Sequence, residues 1–164
     1  MDYQQSRAYI RDAEQYAGGA LDLTNIKEIM KRLGNPQDQL KYVHVAGTNG
    51  KGSVIAYLYT TLTNAGYHVG RYISPSVYSY REKIEVEGTP ISREQFAKHT
   101  TRVAAVIEEM TAEGLAHPTP FEIETAVAFL FFAEEKCDPV ILEVGMGGIT
   151  DATNLIHTTE LAVL

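Results

Sequence analysis

Three glycines, a lysine and a hydroxyl stand together in the run His44-Val45-Ala46-Gly47-Thr48-Asn49-Gly50-Lys51-Gly52-Ser53. These residue types suit the binding of phosphate. Glycines let successive backbone N–H groups turn toward an anion with no Cβ in the way, and a following helix directs roughly half a positive charge at the same point. Lys51 adds a full charge and Ser53 offers an oxygen to Mg²⁺, the general arrangement of strand, Gly-rich loop, Lys and Ser/Thr. The glycines here are closer together than in G-x-x-x-x-G-K-[ST], and Gly52 separates the lysine from the hydroxyl. The flanks therefore carry the assignment. Leu40 to Val45 has the alternation of a strand, and Val54, Leu58, Leu62 and Ala65 fall at helical spacing before Gly66.

Glu143 is the second chemical signal. Pro139-Val140-Ile141-Leu142-Glu143-Val144 is an apolar run broken by one acid, the composition of a strand buried on both faces of a parallel sheet. A carboxylate there is costly unless paired or bound to a cation, and open α/β sheets place their ligands at strand C-terminal ends. Glu143 is therefore read as a Mg²⁺ ligand beside the phosphate loop, against the alternative of a hydrogen-bonded structural acid. The glycines of Gly145-Met146-Gly147-Gly148 do not have dinucleotide spacing, and no Asn-Lys-x-Asp base-recognition motif is present.

Positioning these groups requires an alternation of strands and helices. Two short helices are expected around Gly18-Gly19-Ala20-Leu21, the second running from Thr24 to Leu33 and ending at Gly34-Asn35-Pro36. Tyr67 to Ile73 reads as a strand ending at Ser74-Pro75, and Lys83 to Glu87 as an edge strand or hairpin turning at Gly88-Thr89-Pro90. Capping boxes at Ser92 to Gln95 and Thr119 to Glu122 open two helices, the first ending near Gly114 and the second near Lys136. Glu160-Leu161-Ala162-Val163-Leu164 reads as the start of another buried strand. The fold class is α/β: three layers, a mostly parallel P-loop-type sheet with flanking helices, incomplete at its C-terminal end.

Composition narrows the function. The 164 residues, 45% hydrophobic, suffice for one core. A net charge of −7 argues against a nucleic-acid surface, so an anionic ligand must be held locally by Lys51, backbone amides and Mg²⁺. The single cysteine, Cys137, excludes an internal disulfide and fits a reducing cytoplasm, and neither an export signal nor a membrane segment is indicated. The five histidines, His44 among them, have no spacing that suggests a metal site and are read as structural or surface groups.

Four blocks together resemble the N-terminal part of folylpolyglutamate synthase, including its bifunctional dihydrofolate synthase members, in the Mur ligase superfamily. They are Leu33 to Gln37, His44 to Ser53, Ser74-Pro75 with Tyr80 to Ile84, and Thr119 to Glu122 leading to Glu143 to Gly148 and Asp151 to Asn154. The resemblance implies that residues 1–164 form the first part of a Mur-ligase-like ATPase domain, the rest of that domain and a C-terminal domain being absent. It implies ATP-dependent amide bond formation: Mg-ATP phosphorylates a folate carboxylate, and the amine of L-glutamate attacks the acyl phosphate. By position, Gly47, Thr48, Asn49, Gly50, Lys51, Gly52 and Ser53 would hold the ATP phosphates, and Lys51 would stabilise developing charge. Ser74 and Glu143 would be Mg²⁺ ligands, and Phe121, Glu122, Thr150, Asp151 and Ala152 would lie near the pterin of tetrahydrofolate or dihydropteroate. A monomer is implied at full length, and inactivity for residues 1–164 alone.

The chain departs from the resemblance at Ser76, where histidine is frequent, and at Ile149-Thr150, where Arg-Leu is frequent; substrate preference bears on these positions more than nucleotide binding does. Helix-start packing for Phe121 and an Asx turn for Asp151 are the alternative, purely structural roles of these residues. Two alternative functions also stand: a nucleotide-binding subunit completed by a second chain, and a Mur-type ligase acting on a cell-wall precursor.

Overall fold

The computed structural model describes residues 1–18 and 22–164. The turn expected around Gly18-Gly19-Ala20-Leu21 falls mostly on residues 19–21, outside the described residues. Among the described residues five α-helices are formed: α1 (Tyr3–Asp12), α2 (Thr24–Arg32), α3 (Lys51–Asn64), α4 (Arg93–Ala112) and α5 (Pro120–Glu135). The strands are β1 (Tyr42–Val45), β2 (Gly70–Tyr72), β3 (Ile84–Val86), β4 (Thr89–Pro90), β5 (Val140–Glu143) and β6 (Thr159–Val163). Both expected capping boxes form, with Ser92 accepting from the Gln95 amide and Thr119 from the Glu122 amide.

The six strands make one sheet in the order β4-β3-β2-β5-β1-β6. The four strands from β2 to β6 run parallel, while β3 and β4 add an antiparallel hairpin at one edge. This is the α/β class the pattern predicts. Side chains alternate between the faces of a strand. Tyr42, Tyr72 and Leu142 therefore point into a core shared with α1, α2, α4 and α5, whereas Val43, Val45 and Ile141 pack with Ile55 and Tyr59 of α3 on the opposite face. Residues Glu122 to Phe132 of α5 are buried without a break, because this helix lies between the sheet and its helical neighbours.

β6 forms as the pattern predicts, and within residues 1–164 its side chains are largely exposed, Leu161 by 47%. It is the outermost strand, paired on one side by β1, and the apolar face of α3 lies over β1 and β5. An apolar run predicts a strand but cannot place it within the sheet.

His99, in α4, is wholly buried beside Phe131, and neither ring nitrogen has a hydrogen-bond partner among the described residues. Burial pushes its pKa down to about 4, against the opposing charge of Glu134, whose Oε2 is 3.6 Å from Nε2, and with the smaller help of Lys98 and Arg102. The folded value lies below that of the free ring, so the unfolded chain takes up the proton first as pH falls. Stability is full above about pH 6.5 and lost from there toward pH 4, by about 3 kcal/mol at pH 4. Urea unfolding of His99→Leu beside the unsubstituted protein checks this: the variant should lack that part of the acid dependence.

Candidate functional site

The glycine-rich run, expected to be a phosphate loop, connects β1 to α3, as its flanks predict. Gly47 has φ 141° and Gly50 φ 80°, backbone conformations that side chains with a Cβ resist. Gly50 is the N-cap of α3 and supplies no side-chain cap, so the first-turn amides stay directed at the loop's concave side. α1, α4 and α5, by contrast, have capping boxes. Lys51 folds back over the loop. Its Nζ donates to the Gly47 carbonyl at 3.0 Å and lies 3.8 Å from Glu143 Oε1. Thr48, Asn49, Gly52 and Ser53 are exposed around it.

Glu143 ends β5 and is only 7% exposed. Strand alternation puts it on the face of Ile141, the α3 side, and the parallel pairing of Val45 with Glu143 sets it beside the start of the phosphate loop. Its Oε2 accepts the Ser74 amide N–H at 2.9 Å. Lys51, Glu143 and Ser74, which are far apart in the sequence, are thus brought together at the C-terminal end of the parallel strands.

On the other face of the same sheet end lies a cleft of about 920 Å³. Phe121, Glu122, Thr150, Asp151 and Ala152 all line it, and Ser74 borders it as well. Phe121 begins α5 and stacks on Tyr72, ring centroids 6.1 Å apart. Glu122 is 8% exposed and its Oε2 accepts from both the amide and the hydroxyl of Thr119, closing the capping box. Asp151 makes an Asx turn, Oδ1 accepting the Thr153 amide at 2.9 Å, and its Oδ2 accepts the Met146 amide at 2.8 Å. Glu14 and Asp22 add further acids, and no Lys, Arg or His is among the described residues that line the cleft.

Gly145 lets the cleft wall approach this closely. A Cβ there would lie 2.9 Å from Phe121 Cζ and 3.1 Å from Asp151 Oδ2. Gly145→Ala should therefore displace Phe121 into the cleft and weaken binding of a cleft ligand by about tenfold, with phosphate-loop affinity unchanged. Separate titrations of the two ligands check this.

Sequence reasoning did not single out two residues that meet behind the cleft. His44, read as structural or surface, is half-buried on the cleft face of β1 with Nε2 2.8 Å from Thr153 Oγ1. Burial lowers its pKa, with the charge of Asp151 opposing. Thr153 is fully buried and carries no sequence signal beyond its place between Asp151 and Asn154. The period of β1 could have indicated His44, since a polar residue flanked by Val43 and Val45 must face the opposite way from them. Its partner lies 109 residues away, and nothing local points to it.

A glycine-rich loop opening a helix, a carboxylate ending the adjacent parallel strand, and helices on both faces of a mostly parallel sheet define the chain as an α/β fold. No protein-family model matches it. It is 41% identical over 156 residues to the dihydrofolate synthase/folylpolyglutamate synthase of Bacillus subtilis, covering 94% of this chain and 36% of that protein. It is 35% identical over 165 residues to folylpolyglutamate synthase (FPGS) of Lacticaseibacillus casei, covering 100% of this chain and 38% of that one. The crystal structure of FPGS from Thermotoga maritima superposes with a TM-score of 0.86 at 37% identity, over 94% of this chain and 36% of that one. An FPGS–AMPPCP–folate complex superposes equally well, at 35% identity, over 95% and 38%. The chain belongs to the folylpolyglutamate/dihydrofolate synthase family, and it spans somewhat more than a third of the length of these relatives. Among the described residues, no helix is long and apolar enough to cross a membrane.

Proposed function

We propose that this chain carries the phosphate-binding half of the active centre of an ATP-dependent ligase that joins L-glutamate to a folate. Residues 1–164 are, on this reading, the N-terminal part of the ATPase domain. The observation that carries it is the meeting of two sites at Ser74, whose amide is tied to Glu143 beside the phosphate loop and whose side borders the cleft. A nucleotide and an acceptor would then approach each other across one sheet edge.

The residues have distinct tasks. Gly47 to Ser53 would wrap the triphosphate with backbone amides, and Lys51, already directed inward by the Gly47 carbonyl, would follow charge onto the transferred phosphoryl group. Phe121 offers a flat apolar surface to the pterin ring. The acidic lining without a cation favours the ring's N–H donors over the anionic glutamate end, so the carboxylate to be activated is left toward the phosphate loop. Transfer of the γ-phosphoryl group to that carboxylate yields ADP and an acyl phosphate; the glutamate amine then displaces phosphate and forms the amide.

Mg²⁺ fits the donor set. Glu143 is a buried carboxylate with the Ser74 and Ser53 hydroxyls in the neighbouring loop and helix turn, all hard oxygen donors. When bound, the ion would neutralise charge on the phosphate oxygens. An FPGS–AMPPCP–folate complex among the structural neighbours supports the ligand pair proposed here.

Phosphate release by the intact protein tests the reading. It should require ATP, a folate and L-glutamate together, and release independent of folate and glutamate would overturn it.

A further inference from the structure

Residues 145–155 form the wall of the cleft, and their hydrogen bonds are almost all internal. The Gly148 amide donates to Met146, the Asp151 amide to Gly148, the Asn154 amide to Asp151 and the Asn154 side chain to Ile149. Asp151 gathers the segment by accepting from Met146, from the Thr153 amide and, at 2.5 Å, from the Thr153 hydroxyl. Among the described residues, one hydrogen bond leaves this segment for the body of the fold: Thr153 Oγ1 to His44 Nε2, 2.8 Å. His44 lies in the strand that runs directly into the phosphate loop.

The proton count fixes the direction of this contact. A threonine hydroxyl has one proton, and it is given to Asp151; Thr153 can then only accept from His44, whose ring must carry its proton on Nε2. Asp151 is 5% exposed and Thr153 fully buried, so water does not replace a missing partner readily.

We infer that His44 is a positioning residue: through Thr153 it holds Asp151 and the cleft wall in fixed relation to the strand that carries the phosphate loop. It touches neither ligand in this role. Its loss should loosen the wall and weaken the cleft ligand, leaving the phosphate loop intact. The identity of that ligand as a folate rests on the proposed function; the anchoring of the wall does not.

The test uses the intact protein in two pairs of variants. His44→Phe and Thr153→Val remove the donor and the acceptor, while His44→Gln and Thr153→Ser keep a group able to make the bond. Without ligands, hydrogen exchange of the Met146 amide should quicken about tenfold in the first pair and stay near the unsubstituted rate in the second. Folate affinity should weaken about tenfold in the first pair, with affinity for AMPPCP unchanged. In the unsubstituted protein the nitrogen chemical shifts of His44 should report an Nε2-protonated ring, a readout that survives if a variant does not fold. Unchanged Met146 exchange in His44→Phe, an Nδ1-protonated ring, or equal losses of folate and nucleotide affinity would each overturn the inference. If the unsubstituted protein binds AMPPCP but no folate, the reading of the cleft fails, and the exchange and tautomer results still decide the role of His44.

Discussion

Lys51→Ala in the intact protein should lower turnover about a thousandfold or more. The loop around Lys51 is otherwise built from backbone amides, and an ammonium is the one full positive charge that the Gly47 to Ser53 run can bring to the transferred phosphoryl group. Groups that meet charge developing in a transition state are worth about a hundredfold to a thousandfold each, and cationic groups in phosphoryl transfer more. The position of the lysine amplifies the loss. Its Nζ lies 3.8 Å from the buried Glu143 carboxylate, and removing it leaves that carboxylate without its cation. Steady-state phosphate release measures the rate, calorimetric titration of Mg-ATP measures binding, and thermal unfolding separates both from a folding defect. Wild-type turnover in a folded variant would refute the assignment of Lys51.

Glu143→Ala should lower turnover about a hundredfold and raise the Mg²⁺ concentration needed for half-maximal rate. On the proposed reading two functions are removed together, a carboxylate for the cation and the acceptor of the Ser74 amide. Glu143→Gln separates them. The amide oxygen can still receive the Ser74 N–H, so the loop that borders both sites keeps its place, while the negative charge is gone. If the cation carries most of the effect, the Gln variant should resemble the Ala variant in its Mg²⁺ dependence. If positioning of Ser74 carries it, the Gln variant should be nearly as active as the unsubstituted protein. The rate as a function of Mg²⁺ concentration distinguishes these outcomes.

The parts of the fold and site that were legible depend on neighbouring residues. The strand, glycines, lysine and helix of the phosphate loop occupy one continuous stretch, so type and spacing are enough to assign them. The capping boxes at Ser92 and Thr119 were equally clear, because cap and third helical residue lie within one turn. Glu143 could be singled out because an acid inside an apolar strand is costly wherever that strand lies. Ser74 and the cleft residues were reached only through resemblance; no local pattern in Ser74-Pro75 or Phe121-Glu122 marks a ligand site.

By itself, then, the sequence determined the α/β class, the order of elements, the glycine-rich loop between a strand and a helix and one acid of interest, since each follows from short-range sterics, capping and apolar periodicity. Only the tertiary structure decided that β6 pairs with β1, that β3 and β4 join β2 antiparallel, and that Glu143 and His44 lie on opposite faces of the sheet. It alone joined Ser74 to Glu143 and His44 to Thr153, across 69 and 109 residues. The physical reason is the same in each case: strand order and pairing register are set by the burial of whole apolar faces, a sum over distant residues, and a one-residue change of register would carry each of these side chains to the other side of the sheet.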